Sequence, residues 1–260
     1  MVERSLAQKS IVEFIGTLAL CFIGIGAIVS VPSAPGLNGG IVQIALAHGL
    51  VIVVMVSAVG HISGGHFNPA VTVGAWVTQK IGSKDAMTYL VAQVAGATAG
   101  AGLIRVVLPE SLWRSAALGT PQVSSLVSNG QGLIIEAMLT FLLVWVVFAT
   151  AIDPEGAFGK IAGIAIGFTI VLGILMGGAY TGAAINPARA LGPMIAGGPW
   201  DGWWIYWVGP LAGGVVAASL YDGLILSKRG ASGPAVGDDT PAPHGWGAHG
   251  EDPDAVITNE

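Results

Sequence analysis

Two stretches decide the fold: SGGHFNPAVTVG (residues 63–74) and TGAAINPARALGP (residues 181–193). Each sets small residues, an asparagine and a proline between long apolar runs. The triplet Asn68-Pro69-Ala70 returns as Asn186-Pro187-Ala188, 118 residues later. Asparagine is a good helix N-cap, and proline is tolerated at the first helical position. Each triplet therefore predicts the start of a helix. The apolar pieces that follow, near 68–79 and 186–197, are too short to cross a bilayer, which takes about 20 residues. Roughly ten residues at 1.5 Å each reach about 15 Å, half of the hydrocarbon core.

Around these pieces lie six longer apolar stretches, near 9–31, 41–60, 86–108, 131–152, 159–178 and 203–226. Of the 260 residues, 53% are hydrophobic and only 10% charged. A soluble domain carries about 25% charged residues. The composition is that of a membrane protein, and the 40 glycines suit close helix packing in lipid. The N-terminal stretch leads straight into the first apolar run without a small-residue cleavage pattern, so it reads as a spanning helix rather than a removed signal peptide.

The halves match beyond the triplets. EFIGT from Glu13 pairs with EAMLT from Glu136, AHGL (residues 47–50) with AIGF (165–168), and YLVAQVAG from Tyr89 with YWVGPLAG from Tyr206. Each half reads helix, helix, half-helix, helix. Three spans per half is odd, so the second copy must insert upside down relative to the first. The expected fold is an all-α membrane protein: six transmembrane helices plus two re-entrant half-helices in an inverted repeat (about 9–108 and 131–226). An inverted repeat brings corresponding elements to a shared midplane. Two half-helices entering from opposite faces fill one crossing, with both triplets meeting at its centre.

Net charge is −5, of which −4 lies in residues 227–260, where six acids face Lys228 and Arg229. That tail is Gly-, Pro- and acid-rich without a periodic apolar face and is expected to be disordered. Residues 1–226 form the expected transmembrane domain. No basic patch points to nucleic acid, the single Cys21 allows no internal disulfide, and no metal or cofactor is expected. Lys and Arg concentrate on one side: Arg4, Lys9, Lys80, Lys84, Lys160, Lys228 and Arg229, against Arg105 and Arg114. The bias places both termini in the cytoplasm.

The residues of the two motifs, with the paired ExxGT and ExxLT starts, resemble the aquaporin or major intrinsic protein family over about residues 8–226. The resemblance implies a channel, not an enzyme. It conducts water in single file, excludes protons and ions, and is built as a homotetramer with one pore per subunit. By that resemblance Asn68 and Asn186 direct side-chain N–H donors at the passing molecule. The carbonyls of Gly64, Gly65, His66, Phe67, Gly182, Ala184 and Ile185 form a ladder of acceptors. Glu13 and Glu136 brace the two re-entrant loops. Arg189 is a charge inside an apolar segment, and such residues mark pathways; in the family it stands at the narrowest constriction. Spacing from the triplets carries the other constriction positions to His48, Ile174 and Ala183. His66 either lines the pore or only braces its loop.

This constriction departs from the strict water-channel pattern, which has an aromatic residue where His48 stands and a histidine where Ile174 stands. It looks like the plant vacuolar-membrane branch, which also passes ammonia or other small neutral solutes. Glycerol-type members carry an aspartate at the place of Ala190 and a Pro-Leu or Pro-Ile pair at Tyr206-Trp207, so the chain reads as water-type; a broader ammonia or glycerol facilitator is the alternative. Met194 stands where water-type members usually have alanine. A secondary transporter is the rival class, since it also uses inverted repeats and broken helices, but no acid lies near either triplet. The simple layout suggests a prokaryotic plasma membrane; the constriction set alone suggests a vacuolar one. Gly96 and Gly100 form a GxxxG that reads as an intramolecular crossing.

Overall fold

A computed structural model describes residues 4–33, 39–156 and 161–226. The tail at 227–260 and Lys160 lie outside the described residues. Helices are α1 (Leu6–Ser33), α2 (Gly40–Ser63), α3 (Pro69–Val77), α4 (Ser83–Val107), α5 (Glu110–Ser115), α6 (Asn129–Val147), α7 (Ala162–Thr181), α8 (Pro187–Ile195) and α9 (Ile205–Tyr221). Among the described residues there is no strand. Single π-helical turns extend α6 to Ile152 and α9 to Leu226. Six of these helices are long and apolar enough to cross a membrane. The fold is the expected one, with helix ends within a few residues of the sequence reading.

Local chemistry explains the breaks. α2 and α7 stop at Gly64 and Gly182, whose φ angles of 92° and 81° are left-handed. Each glycine N–H closes back onto a carbonyl four residues earlier, Gly60 and Gly178. This is the αL helix stop that glycine permits without a Cβ clash. A few residues later Asn68 and Asn186 take up extended backbone, with φ of −154° and −156°, and cap α3 and α8, where Pro69 and Pro187 occupy the first turn. Nine residues per half-helix give about 13 Å.

Small residues set the packing. A Cβ on Gly96 would lie 2.2 Å from the Phe14 carbonyl oxygen, and one on Gly213 would lie 1.9 Å from that of Ala137. Gly96 and Gly213 are therefore the close crossings of α4 on α1 and of α9 on α6, one in each repeat. Gly100 meets α1 in the same way at the Leu18 carbonyl, so the GxxxG is spent inside the subunit. Between the repeats, Gly49 of α2 faces Gly167 of α7, and a Cβ on either would meet the other's oxygen at 2.5 Å. Each half-helix packs on the other repeat: α3 on α9, and α8 on α4.

The connection at 109–130 is more than a loop. It contains α5, a 3₁₀ turn at Ala117–Gly119, and a strand-like contact in which Ser124 N–H donates to the Tyr180 carbonyl. It folds over one end of the site.

Candidate functional site

Both re-entrant loops hang on buried carboxylates in parallel fashion. Glu13 Oε1 accepts from Ser63 Oγ (2.7 Å) and His66 N (2.9 Å), and its Oε2 from Phe67 N (2.7 Å) and Gln93 Nε2 (2.8 Å). Glu136 Oε1 accepts from Thr181 Oγ1 (2.7 Å) and Ala184 N (2.9 Å), and its Oε2 from Ile185 N (2.8 Å). Tyr89 and Tyr206 donate to the Ser63 and Thr181 carbonyls, both at 2.8 Å. Irregular backbone in a membrane must find partners for its N–H groups, and the glutamates supply them. The loops need such support because Phe67 (φ 47°) and Ile185 (φ 44°) hold left-handed backbone. That conformation is costly for bulky residues.

The two asparagines meet through crossed hydrogen bonds. Asn68 Nδ2 donates to the Ile185 carbonyl and Asn186 Nδ2 to the Phe67 carbonyl, both at 2.8 Å. Their Oδ1 atoms accept from Ala70 N, and from Ala188 N and Arg189 N. An amide nitrogen carries two hydrogens. One on each asparagine thus ties the two repeats together, and only the other is left for a passing molecule. The crossed bonds also satisfy two buried carbonyls.

A narrow cavity of ≈ 30 Å³ runs along these groups, walled on one side by Gly65, His66, Phe67 and Asn68 and on the other by Ala183, Ala184, Ile185 and Asn186. Gly64 and Gly182, expected in the ladder, end α2 and α7 with left-handed backbone. The Phe67 and Ile185 carbonyls do reach the centre, each with one lone pair engaged by an asparagine. The opposing surface is aliphatic, including Val71, Leu143, Val147, Ile166 and Ile170.

His48, Ile174, Ala183 and Arg189 come together on the same cavity, although they come from three elements and a loop. Arg189 is 3% exposed; its Nη1 donates to the Gly119 carbonyl (3.1 Å) and its Nη2 lies 3.4 Å from His48 Nε2. His48 Nδ1 is 2.9 Å from the Ile44 carbonyl. A carbonyl only accepts, so Nδ1 carries the proton and Nε2 presents a lone pair. A neutral, accepting histidine suits a place beside a guanidinium. Gly24 of α1 makes room for the ring: a Cβ there would lie 2.3 Å from His48 Nε2. Cys21 is fully buried and lies outside the cavity wall.

Four participants escaped the sequence reading. Gly119 lies in a connection with no motif of its own. Ser63 and Thr181 are ordinary helix-end residues, although their equivalent places in the repeat were a usable signal. Gln93 has no counterpart in the second half, where the aligned position is Pro210. Met194 packs with Ala184, Ala190, Ile205 and Tyr206 as a buried core side chain.

A family model described as "Major intrinsic protein" matches residues 1–221. The chain belongs to the major intrinsic protein family. Relatives within it include aquaporin TIP1-2 of Zea mays, 40% identical over 228 residues, covering 86% of this chain and 88% of that protein. A probable aquaporin TIP3-2 of Arabidopsis thaliana is 42% identical over 229 residues, covering 84% of each. Mouse aquaporin-4 is 42% identical over 212 residues, 81% of this chain and 65% of that protein. Among solved structures, the aquaglyceroporin from Plasmodium falciparum superposes with a TM-score of 0.77 at 27% identity, covering 88% of this chain and all of that one. The family fixes a multi-pass integral membrane protein, with lipid as its surroundings. The expectation of a prokaryotic plasma membrane finds no support here, since these relatives come from plants, an animal and a protist.

Proposed function

We propose that the chain is a passive channel that passes water in single file along the cavity from His66 to Arg189. The observation that carries this is the midpoint: two helix N-termini face one narrow space, each with one asparagine N–H left over. Each N-terminus contributes about half a positive charge. A water there accepts from both amides and turns its hydrogens outward, towards the backbone carbonyls on either side. The same field, with Arg189, opposes protons and other cations. In this family pore width, lining donors, an arginine and half-helix dipoles decide selectivity.

His48 and Ile174 set what else passes. A histidine is smaller than the aromatic residue of strict water channels, and Ile174 removes a polar group from the opposite wall. This supports ammonia as a second permeant. Assembly is as a homotetramer, by family likeness, and the lysine and arginine bias supports cytoplasmic termini.

Stopped-flow shrinkage of proteoliposomes tests the reading. The protein should raise water permeability well above that of empty vesicles. His48→Phe should keep water flux and lower ammonia flux; equal ammonia flux in protein-containing and empty vesicles would rule out the second permeant. Arg189→Val should let larger neutral solutes through.

A further inference from the structure

On the membrane face away from Lys9 and Lys80 lies a second, open groove of ≈ 510 Å³, formed by Gly102 and Arg105 of α4, Glu110 and Trp113 of α5, and Ala196 just after α8. Three observations point to its occupant. The neighbouring α4 residues Leu103, Val106 and Val107 are 40%, 80% and 56% exposed, so this side of the bundle turns towards lipid. The turn after Ala196 carries Trp200, Trp203 and Trp204, all 40–50% exposed, as an aromatic belt does at headgroup level.

The second observation is charge. Glu110 is paired with Arg114, whereas Arg105 has no carboxylate partner among the described residues. Arg105 Nη1 donates to the Ala196 carbonyl, which holds the guanidinium at the groove and leaves its other N–H groups to spare. The groove thus keeps one uncompensated positive charge.

The third is Trp113. It is 5% exposed, and its Nε1 is buried without a hydrogen-bond partner. Buried indole N–H groups usually find an acceptor. The Cζ atoms of Arg105 and Arg114 lie 5.0 and 4.9 Å from its ring centroid, so an acceptor beside this indole would also feel both guanidinium groups. We propose that the groove holds the phosphate of an anionic phospholipid from the leaflet opposite the termini, gripped by Arg105 and by the Trp113 N–H. A guanidinium fork suits phosphate geometry, and one net positive charge suits one net negative headgroup. The lipid would brace the connection that carries Gly119, and so the support of Arg189.

The test is native mass spectrometry of the full-length protein in detergent with phosphatidylglycerol or phosphatidylcholine of identical acyl chains. Wild type should retain phosphatidylglycerol roughly tenfold better, the scale of one charge-assisted contact. Arg105→Gln should abolish that preference while Arg4→Gln leaves it intact. Trp113→Phe keeps the ring but removes the donor, and should weaken retention several-fold; it decides the matter should the Arg105 variant fail to fold. Equal retention of both lipids by wild type, or an unchanged ratio in the Arg105 and Trp113 variants, would overturn the site. Displacement of the lipid by millimolar inorganic phosphate would overturn the lipid as its ligand.

Discussion

At the scale of single residues, the site depends on groups that each do two things. Asn68 and Asn186 cap a helix, cross-link the repeats and keep one donor in reserve. Glu13 and Glu136 satisfy four and three donors respectively. Replacing either by glutamine puts an NH₂ group against N–H donors. An orphaned buried donor costs about 1–3 kcal/mol, so both variants should melt earlier in detergent, and Glu13→Gln more so than Glu136→Gln. A thermal unfolding series reads this directly; equal melting of all three proteins would refute the bracing role. Ala183 makes a second, independent prediction. With no thiol on the cavity and Cys21 buried, mercurials should leave water flux unchanged, and Ala183→Cys should render it mercury-sensitive. Mercury block of the wild type, or an Ala183→Cys channel that mercury leaves open, would show that the constriction has been misplaced.

At the scale of elements, half-helices and glycine crossings set the geometry. The two caps at Asn68 and Asn186 are local, and so the sequence alone located them to within a residue, whereas it ended the helices before them near 60 and 178, three residues short of Ser63 and Thr181, after which Gly64 and Gly182 stop them. The glycine crossings are not local. A Cβ on Gly213 would lie 1.9 Å from the Ala137 carbonyl oxygen, whereas a Cβ on Gly26 has no neighbour nearer than 3.6 Å. Gly213→Ala should therefore force α9 away from α6 and cost about 1–3 kcal/mol, as overpacking does. Gly26→Ala should be close to neutral. Comparing folded yield and melting temperature of the two checks the claim, and similar losses in both would contradict it. The connection at 109–130 was legible only as polar and mixed. It bears no repeat, yet it brings Gly119 to Arg189, because that carbonyl is chosen by proximity in space and not by a residue type.

At the scale of the whole molecule, the inverted repeat makes two half-plugs into one crossing. Of the three buried carboxylates among the described residues, Glu13 and Glu136 are engaged by loop donors and Asp153 accepts from the Tyr221 hydroxyl and the Glu155 N–H, so none is aimed at a substrate site of the kind a carrier uses. Water flux should accordingly be non-saturating, with a low activation energy. Temperature-dependent shrinkage of proteoliposomes measures it, and a saturating, steeply temperature-dependent flux would mean a carrier.

The sequence by itself determined the membrane class, the six spans, the two half-helices and the family, because apolar run length, capping residues and a motif repeated at fixed offset are all local signals. It also singled out His48, Ile174, Ala183 and Arg189, through spacing within that family pattern, and these four line one cavity. Only the tertiary structure decided how the donors are spent. Half of each asparagine amide goes to the opposite repeat, Gly64 and Gly182 end helices, and His48 faces Arg189 with its lone pair. Hydrogen bonds between residues more than a hundred positions apart depend on the register in which the repeats dock. That register is set by the crossing of Gly49 on Gly167 and by the packing of each half-helix against the other half of the chain.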